Sequence, residues 1–257
     1  MSLAIPRALP LALLIPTLLS LSACQSKTPE QQAARALEIQ KVREFSAAIT
    51  EVLQRNIMAA NPKGLTGEVE LRVKLDRQNQ VLDCQVRPLA NQALATPALL
   101  QLARQVCWST IFPAAAPEAF GADERINAIT DLQFPAFSSL SSQERREYPL
   151  RASLYRQSQF FWDQVVDGPG IDSVGVASFT YRADARGQVH ECQVKLERSE
   201  FRLAAFKADS ALQQRLTRKC QQLDLRQMPD FAVDETGLSQ GEVLVEYMPW
   251  RGAGLPR

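Results

Sequence analysis

Two segments of the chain alternate apolar and polar residues, which is the period of a half-buried β-strand. Residues 67–75 place valine or leucine at every second position, and residues 174–182 repeat the pattern with Ala177, Phe179 and Tyr181. A polar turn and a second apolar segment follow each of them, at 81–88 and 188–196. The pattern therefore predicts one β-hairpin in each half of the chain.

Apolar residues at helical spacing predict a helix before and after each hairpin. These helices cover residues 36–59 and 97–108 in the first half, and residues 154–166 and 208–221 in the second. A last strand is predicted in each half, at 126–134 and 242–250. Helices on one face of an antiparallel sheet make an α+β fold. We expect two tandem small domains, each an antiparallel three-stranded sheet packed on helices.

A repeated hexapeptide indicates that the two halves are copies of one unit. VLDCQV at residues 81–86 returns as VHECQV at residues 189–194, and a further cysteine follows each copy, Cys107 and then Cys220. An internal repeat defines the architecture of a chain before any other feature is considered. We therefore treat every expectation for one copy as an expectation for the other.

The cysteines are expected to pair within each copy. The chain has five of them, and Cys24 lies apart near the N-terminus. The other four allow three pairings, and the duplication selects Cys84 with Cys107 and Cys192 with Cys220. Zinc binding is the alternative, but the chain has one histidine and no closely spaced cysteine pair, from which tetrahedral sites are usually built. We predict two disulfide bonds and no metal site.

The N-terminus is typical of an export signal. Arg7 precedes an apolar run at residues 8–19, which is shorter than the about 20 residues that cross a bilayer as a helix. The residues LSAC that end at Cys24 resemble the bacterial lipobox, which implies cleavage before Cys24 and acylation of this residue. Gln25, by resemblance to enterobacterial sorting, favours the periplasmic face of the outer membrane. The alternative is an ordinary cleaved signal and a secreted protein.

These observations divide the chain into five segments. We predict a signal peptide at 1–23, a tether at 24–35, a first domain at 36–135, a linker at 136–148 and a second domain at 149–257. The periplasm is oxidising, so disulfide bonds persist there. The net charge is +1, which gives no reason to expect nucleic acid as a partner.

Each predicted domain resembles the C-terminal domain shared by TolA and TonB. The resemblance in the first copy rests on the helix that ends with residues 49–56, the hairpin at 69–86 with its turn at Asp76, the helix closing in Cys107 and Trp108, and Phe112-Pro-Ala. In the TolA branch a disulfide likewise joins sheet and helix. The resemblance implies that segments of other envelope proteins bind partly by adding a strand to the sheet. Energy transduction is not implied, because the N-terminal segment is interpreted as a cleaved signal and not as a membrane helix.

An open sheet edge is the predicted binding site. Three strands cannot close a barrel, so each edge strand keeps unpaired backbone groups. By resemblance, the last strand of each domain is the docking edge, and its assigned residues are Glu242, Val243, Leu244, Val245, Glu246, Tyr247, Ile126, Ala128, Thr130 and Leu132. Proline at Val245 is predicted to abolish partner capture without unfolding, because it removes one edge donor. We predict a lipid-anchored adaptor or assembly factor that binds envelope proteins.

Two other functions compete with this prediction. A binder of peptidoglycan or another glycan would need exposed aromatic rings, and among Trp108, Trp162 and Trp250 we expect exposure of Trp250. A hydrolase would need acidic residues around His190, which aligns with Leu82 and is assigned to the cysteine-bearing face of its strand. The sequence contains no nucleophile elbow, phosphate loop or dinucleotide fingerprint. We predict no catalytic residue and no cofactor.

Overall fold

The computed structural model describes residues 28–89, 95–121 and 123–251. A first module contains α1 (Pro29–Ala60), β1 (Gly67–Asp76), β2 (Val81–Pro88), α2 (Pro97–Trp108) and β3 (Arg125–Phe134). A second module repeats this order with α3 (Ser142–Phe161), β4 (Gly175–Asp184), β5 (Val189–Glu197), α4 (Ser210–Cys220) and β6 (Leu238–Tyr247). None of the helices in the described ranges is long and apolar enough to cross a membrane.

Each module carries one antiparallel three-stranded sheet. The strand order is β2-β1-β3 in the first sheet and β5-β4-β6 in the second. The first strand of each hairpin is therefore central, and the last strand of each module returns to its other side. This arrangement confirms the predicted α+β class with two three-stranded sheets.

Two disulfide bonds join sheet to helix, as the repeated cysteines predict. Cys84 on β2 is bonded to Cys107 on α2, and Cys192 on β5 is bonded to Cys220 on α4. The Cα–Cα distances are 6.2 and 6.1 Å, within the ordinary range for a disulfide. All four cysteines are buried, so each bond lies inside the core of its module.

A β-bulge in each hairpin moves one residue away from its predicted face. The pairing shifts between Lys74 and Leu75 in the first copy and between Arg182 and Ala183 in the second. An extra residue at a bulge interrupts the alternation of faces. Leu82 and His190 are therefore exposed, and the prediction that His190 shares the face of Cys192 is wrong.

Both first helices begin earlier than the sequence predicts. Thr28 accepts a hydrogen bond from the Gln31 N–H and donates its own backbone N–H to the Gln31 side chain, a capping box that starts α1 at Pro29. Residues 29–35, assigned to the tether, are thus helical. Ser141 and Glu144 form the same box before α3, so part of the predicted linker is helix. The predicted signal peptide and Cys24 lie outside the described residues.

The two modules share a boundary that is packed like a core. Val174, Met248 and Trp250 from the second module are buried in one cluster with Trp108 and Ile111 of the first. Tyr148 on α3 donates a hydrogen bond to the carbonyl of Asn61. The modules are therefore joined by apolar packing as well as by the chain between them.

The longer loop of the second copy reaches into the first module. Arg202 in this loop is 7% exposed, and it donates hydrogen bonds to the carbonyls of Asn79 at 2.9 Å and Gln78 at 2.5 Å in the turn between β1 and β2. Phe201 and Ala205 pack against the first core. The extra residues between the strand cysteine and the helix cysteine thus serve as an interdomain clamp.

Candidate functional site

The predicted docking strands, β3 and β6, are edge strands. Gln133 on β3 shows which of their backbone groups point away from the sheet. Its carbonyl accepts a hydrogen bond from the Gln54 side chain at 2.7 Å, and its N–H donates to the same side chain at 3.4 Å. Because backbone direction alternates along an antiparallel strand, the outward groups of β3 belong to odd-numbered residues. The side chain of Gln54 therefore covers one end of this edge.

The equivalent end of β6 is covered in a different way. Gln133 faces Glu68 on β1, and Glu246 faces Val176 on β4 at the same position of the second sheet. The carbonyl of Glu246 accepts a hydrogen bond from Arg251 Nη1 at 2.9 Å. By this equivalence, the outward groups of β6 belong to even-numbered residues.

The remaining outward groups form the open part of each edge. On β6 these are the backbone groups of Gln240, Glu242 and Leu244, and within the described chain they have no hydrogen-bond partner. The open positions of β3 are those of Asn127, Ile129 and Asp131 by the same argument, and the Asp131 carbonyl accepts a long hydrogen bond from Thr130 Oγ1 at 3.5 Å. Each open edge is thus three outward residues long, enough for a short added strand.

Seven of the ten residues assigned to the edge from sequence direct their backbone groups toward the central strand and not outward. Val243, Val245 and Tyr247 are buried in the second core, and their backbone groups face β4. The four residues assigned on β3, Ile126, Ala128, Thr130 and Leu132, likewise direct their backbone groups toward β1. Glu242, Leu244 and Glu246 are the assigned residues that point outward.

This orientation corrects the proline test that the sequence suggests. The N–H of Val245 pairs with the central strand, opposite Ala177, and its side chain is fully buried. Proline at this position would break the sheet, because it removes a ladder hydrogen bond. The N–H of Leu244 is the edge donor that proline removes without that loss.

A cleft between the modules opens beside β6. Its volume is about 460 Å³, within the range of small-ligand sites. The walls come from α1, α3 and β6, and they include Arg55, Tyr155 and Leu244. Leu244 on β6 and Leu154 on α3 both line the cleft, and they are 56% and 50% exposed. The open edge of β6 therefore borders a partly apolar cleft.

Arg251 lies at the base of this cleft. Its guanidinium carbon is 4.0 Å from the centre of the Trp162 ring, a cation–π arrangement. Burial lowers the pKa of Arg251 to about 10 and raises the pKa of the neighbouring Tyr155. Burial also raises the pKa of Glu246, against the attraction of Arg251 and Arg55. The base of the cleft is thus a desolvated environment in which charge is stabilised by a few fixed partners.

The residues considered for glycan binding and hydrolysis do not form a site. Trp108, Trp162 and Trp250 are each at most 7% exposed, so the expectation that Trp250 lies on the surface is wrong. His190 is exposed, with its Nε2 3.4 Å from Asp184, and it does not line the interdomain cleft. Among the described residues, no group of three or more histidine, cysteine or acidic side chains is arranged to hold a metal ion.

Sequence reasoning missed the cleft itself. Arg251 and Tyr155 belong to no motif, and the cleft that they line exists only where the second module packs against α1 of the first. No family model, curated protein or solved structure matches the chain.

Proposed function

We propose that the protein is an envelope lipoprotein that captures an extended segment of another envelope protein on the open edge of β6. The observation that carries this proposal is the row of unpaired backbone groups at Gln240, Glu242 and Leu244. Such groups are a template for an added strand, which supplies main-chain hydrogen bonds. The resemblance to the TolA and TonB C-terminal domains supports the same mode of binding.

The edge of β6 is favoured over that of β3 because of what lies beside it. Leu244 lies on the face of the second sheet opposite its core and lines the interdomain cleft together with Leu154. A partner strand on β6 would therefore gain apolar contacts with α3 as well as backbone hydrogen bonds. Side-chain pockets next to an edge provide the specificity of strand addition.

The anchor belongs to the same proposal. We infer that Cys24 is acylated and holds the protein on the periplasmic face of the outer membrane, with two disulfide bonds suited to that oxidising compartment. Cys24→Ala is expected to move the protein from the membrane fraction to the soluble fraction, because the acyl chains supply the membrane affinity. A Cys24→Ala protein that still sediments with membranes would refute the anchor.

Site-specific photo-crosslinking in cells tests the docking edge. A photoreactive residue at Leu244 is expected to capture one discrete partner, whereas the same residue at Gln193, exposed on β5 at the opposite edge, is the matched control and should not. With the photoreactive residue moved to Glu242, Leu244→Pro should abolish capture, since it removes an outward donor. Equal capture from both edges, or capture that survives Leu244→Pro, would exclude strand addition on β6.

The structure adds no support for the glycan-binding alternative. The three tryptophan side chains that could stack on sugar rings are buried. Hydrolysis gains no support either, because His190 lies outside the cleft. We therefore propose neither function.

A further inference from the structure

Two buried hydrogen-bond donors at the base of the cleft lack an acceptor. Arg251 is 3% exposed, and its Nη2 has no partner among the described residues, although Nη1 is bonded to the carbonyl of Glu246. Tyr155 Oη is likewise buried and has no partner at full hydrogen-bond geometry, although the Ser109 hydroxyl lies close to it. Buried donors in native proteins are almost always satisfied. Two donors on one cleft are therefore available to an acceptor that comes from outside the chain.

The charges of the lining favour an acceptor that is an anion. Arg55, Arg151 and Arg251 line the cleft, and Glu246 is the single acidic side chain on that lining. Other acidic groups act from outside it: Glu147 pairs with Arg151, and Asp163 and Asp167 attract Arg251. The lining itself thus carries three guanidinium groups and one carboxylate. Arg55 is the one of the three guanidinium groups without an ion pair or a nearby Asp named above, and guanidinium groups are suited to carboxylate recognition.

The remaining lining limits what carries the anionic group. Ala59, Leu154, Val176 and Leu244 supply apolar surface around the arginines. A ligand that fills the cleft therefore has an apolar part next to its charge. A peptide that ends in an apolar residue and a free carboxylate has this chemistry.

The position of the cleft along β6 indicates which end of a peptide it receives. The edge is open from Gln240 to Leu244, and it stops at Glu246, where Arg251 already occupies the outward carbonyl. An added strand has no further backbone partner beyond that point. Its terminus would lie where Leu244 and Glu246 border the cleft, next to the free donor of Arg251.

We propose that the cleft binds the C-terminal carboxylate of the peptide strand that pairs with β6, with Arg251 Nη2 and Tyr155 Oη as donors and Arg55 and Arg151 as further cations. This proposal rests on the proposed function. The bound strand then runs parallel to β6, because its C-terminus lies at the Glu246 end. The protein would thus recognise the free C-terminus of its partner and not an internal segment.

Two pairs of probes separate the carboxylate site from strand addition. The first pair is N-acetyl-leucine and its amide, which contain only the terminal residue. The second pair is the acetylated pentapeptide Thr-Val-Thr-Val-Leu as free acid and as amide, which is long enough to add a strand. Binding is measured from amide shifts in NMR spectra of isotope-labelled protein purified from the cell envelope. N-acetyl-leucine should shift Tyr155 and Leu244, and its amide should bind at least about tenfold more weakly, which corresponds to the loss of one charge-assisted hydrogen bond.

Variants identify the residues that read the charge. Arg251 is buried, so its replacement risks unfolding, whereas Arg55 is exposed and the Arg151 side chain is 52% exposed. Arg55→Gln and Arg151→Gln should each lower the affinity for N-acetyl-leucine about three- to tenfold. Arg104→Gln, on the exposed face of α2 and outside the cleft, is the matched control and should leave binding unchanged.

The outcomes distinguish the two proposals. If acid and amide bind equally, or if N-acetyl-leucine leaves Tyr155 and Leu244 unshifted, the carboxylate proposal fails. If both pentapeptides shift the amide signals of Gln240 to Leu244 equally, strand addition is supported and the carboxylate site is not. If N-acetyl-leucine binds in the cleft but neither pentapeptide reaches those residues, strand addition fails while the carboxylate site remains.

Discussion

Gly175, the first residue of β4, has no room for a side chain. A Cβ atom there would lie 2.5 Å from Tyr247 Oη and 2.7 Å from the carbonyl oxygen of Glu197. Both distances are shorter than van der Waals contact, and Tyr247 is fully buried. The glycine thus allows the three strands of the second sheet to approach each other at its end nearest the cleft.

Gly175→Ala is expected to lower the free energy of unfolding by about 1–3 kcal/mol, the usual cost of an overpacked core. Denaturant unfolding followed by circular dichroism measures this loss. Tyr247→Phe is the matched control, because Tyr247 Oη lies close to the Ser173 hydroxyl but makes no hydrogen bond of full geometry. Its removal should cost less than about 1 kcal/mol. A Gly175→Ala protein as stable as the wild type would contradict the packing described for this corner.

The elements show which features a single sequence can predict. The hairpins and the disulfides were accessible because alternation and spacing are local signals, and the duplication reduced three possible pairings to one. The bulges at Leu82 and His190 could not be predicted, because one inserted residue changes which face its neighbours occupy without changing the composition of the strand. The burial of Trp250 was also beyond reach, because it packs against the core of the other module. The position of Arg251 over Trp162 joins residues far apart in the sequence, which no local pattern reveals.

The exposed N-terminal part of α1 includes most of the segment predicted to be a tether. The described side chains between Pro29 and Glu44 are exposed, and burial begins at Phe45. At about 1.5 Å per residue this exposed part spans roughly 24 Å. If Cys24 carries lipid, this helical stalk lies between the anchor and the first module.

At the scale of the element, the edge of β6 has two kinds of residue that respond oppositely to proline. Leu244 directs its N–H outward, while Val245 directs its N–H toward β4. Leu244→Pro should therefore preserve the unfolding midpoint within a few degrees, and Val245→Pro should abolish cooperative unfolding, because proline inside a sheet removes a ladder hydrogen bond. If Leu244→Pro remains folded, its loss of partner capture is due to the missing edge donor and not to unfolding of the module.

At the scale of the whole molecule, the two modules form one packed unit. Their cores meet at Met248 and Trp250, and the loop that carries Phe201 and Arg202 holds the β1–β2 turn of the first module. The cleft beside β6 exists because the modules are held in this orientation. The duplication thus creates a site that neither copy contains alone.

Arg202→Ala is expected to weaken this union. It removes two hydrogen bonds from a buried guanidinium group to backbone carbonyls, and bonds of this kind contribute about 1.5–3 kcal/mol. We expect the free energy of unfolding, measured with denaturant, to fall by about 2 kcal/mol. We also expect the single unfolding transition to separate into two, one for each module. Arg198→Ala, exposed in the same loop, should change stability by less than about 0.5 kcal/mol. Equal behaviour of the two variants would show that Arg202 does not join the modules.

Hydrogen exchange along β6 in complex with the captured partner tests strand addition most directly. We predict that the amides of Glu242 and Leu244 exchange quickly in the free protein and become protected in the complex. The amides of Val243 and Val245, already paired with β4, should exchange slowly in both states. If the exchange rates of the Glu242 and Leu244 amides are the same in the free protein and in the complex, capture at this edge is contradicted.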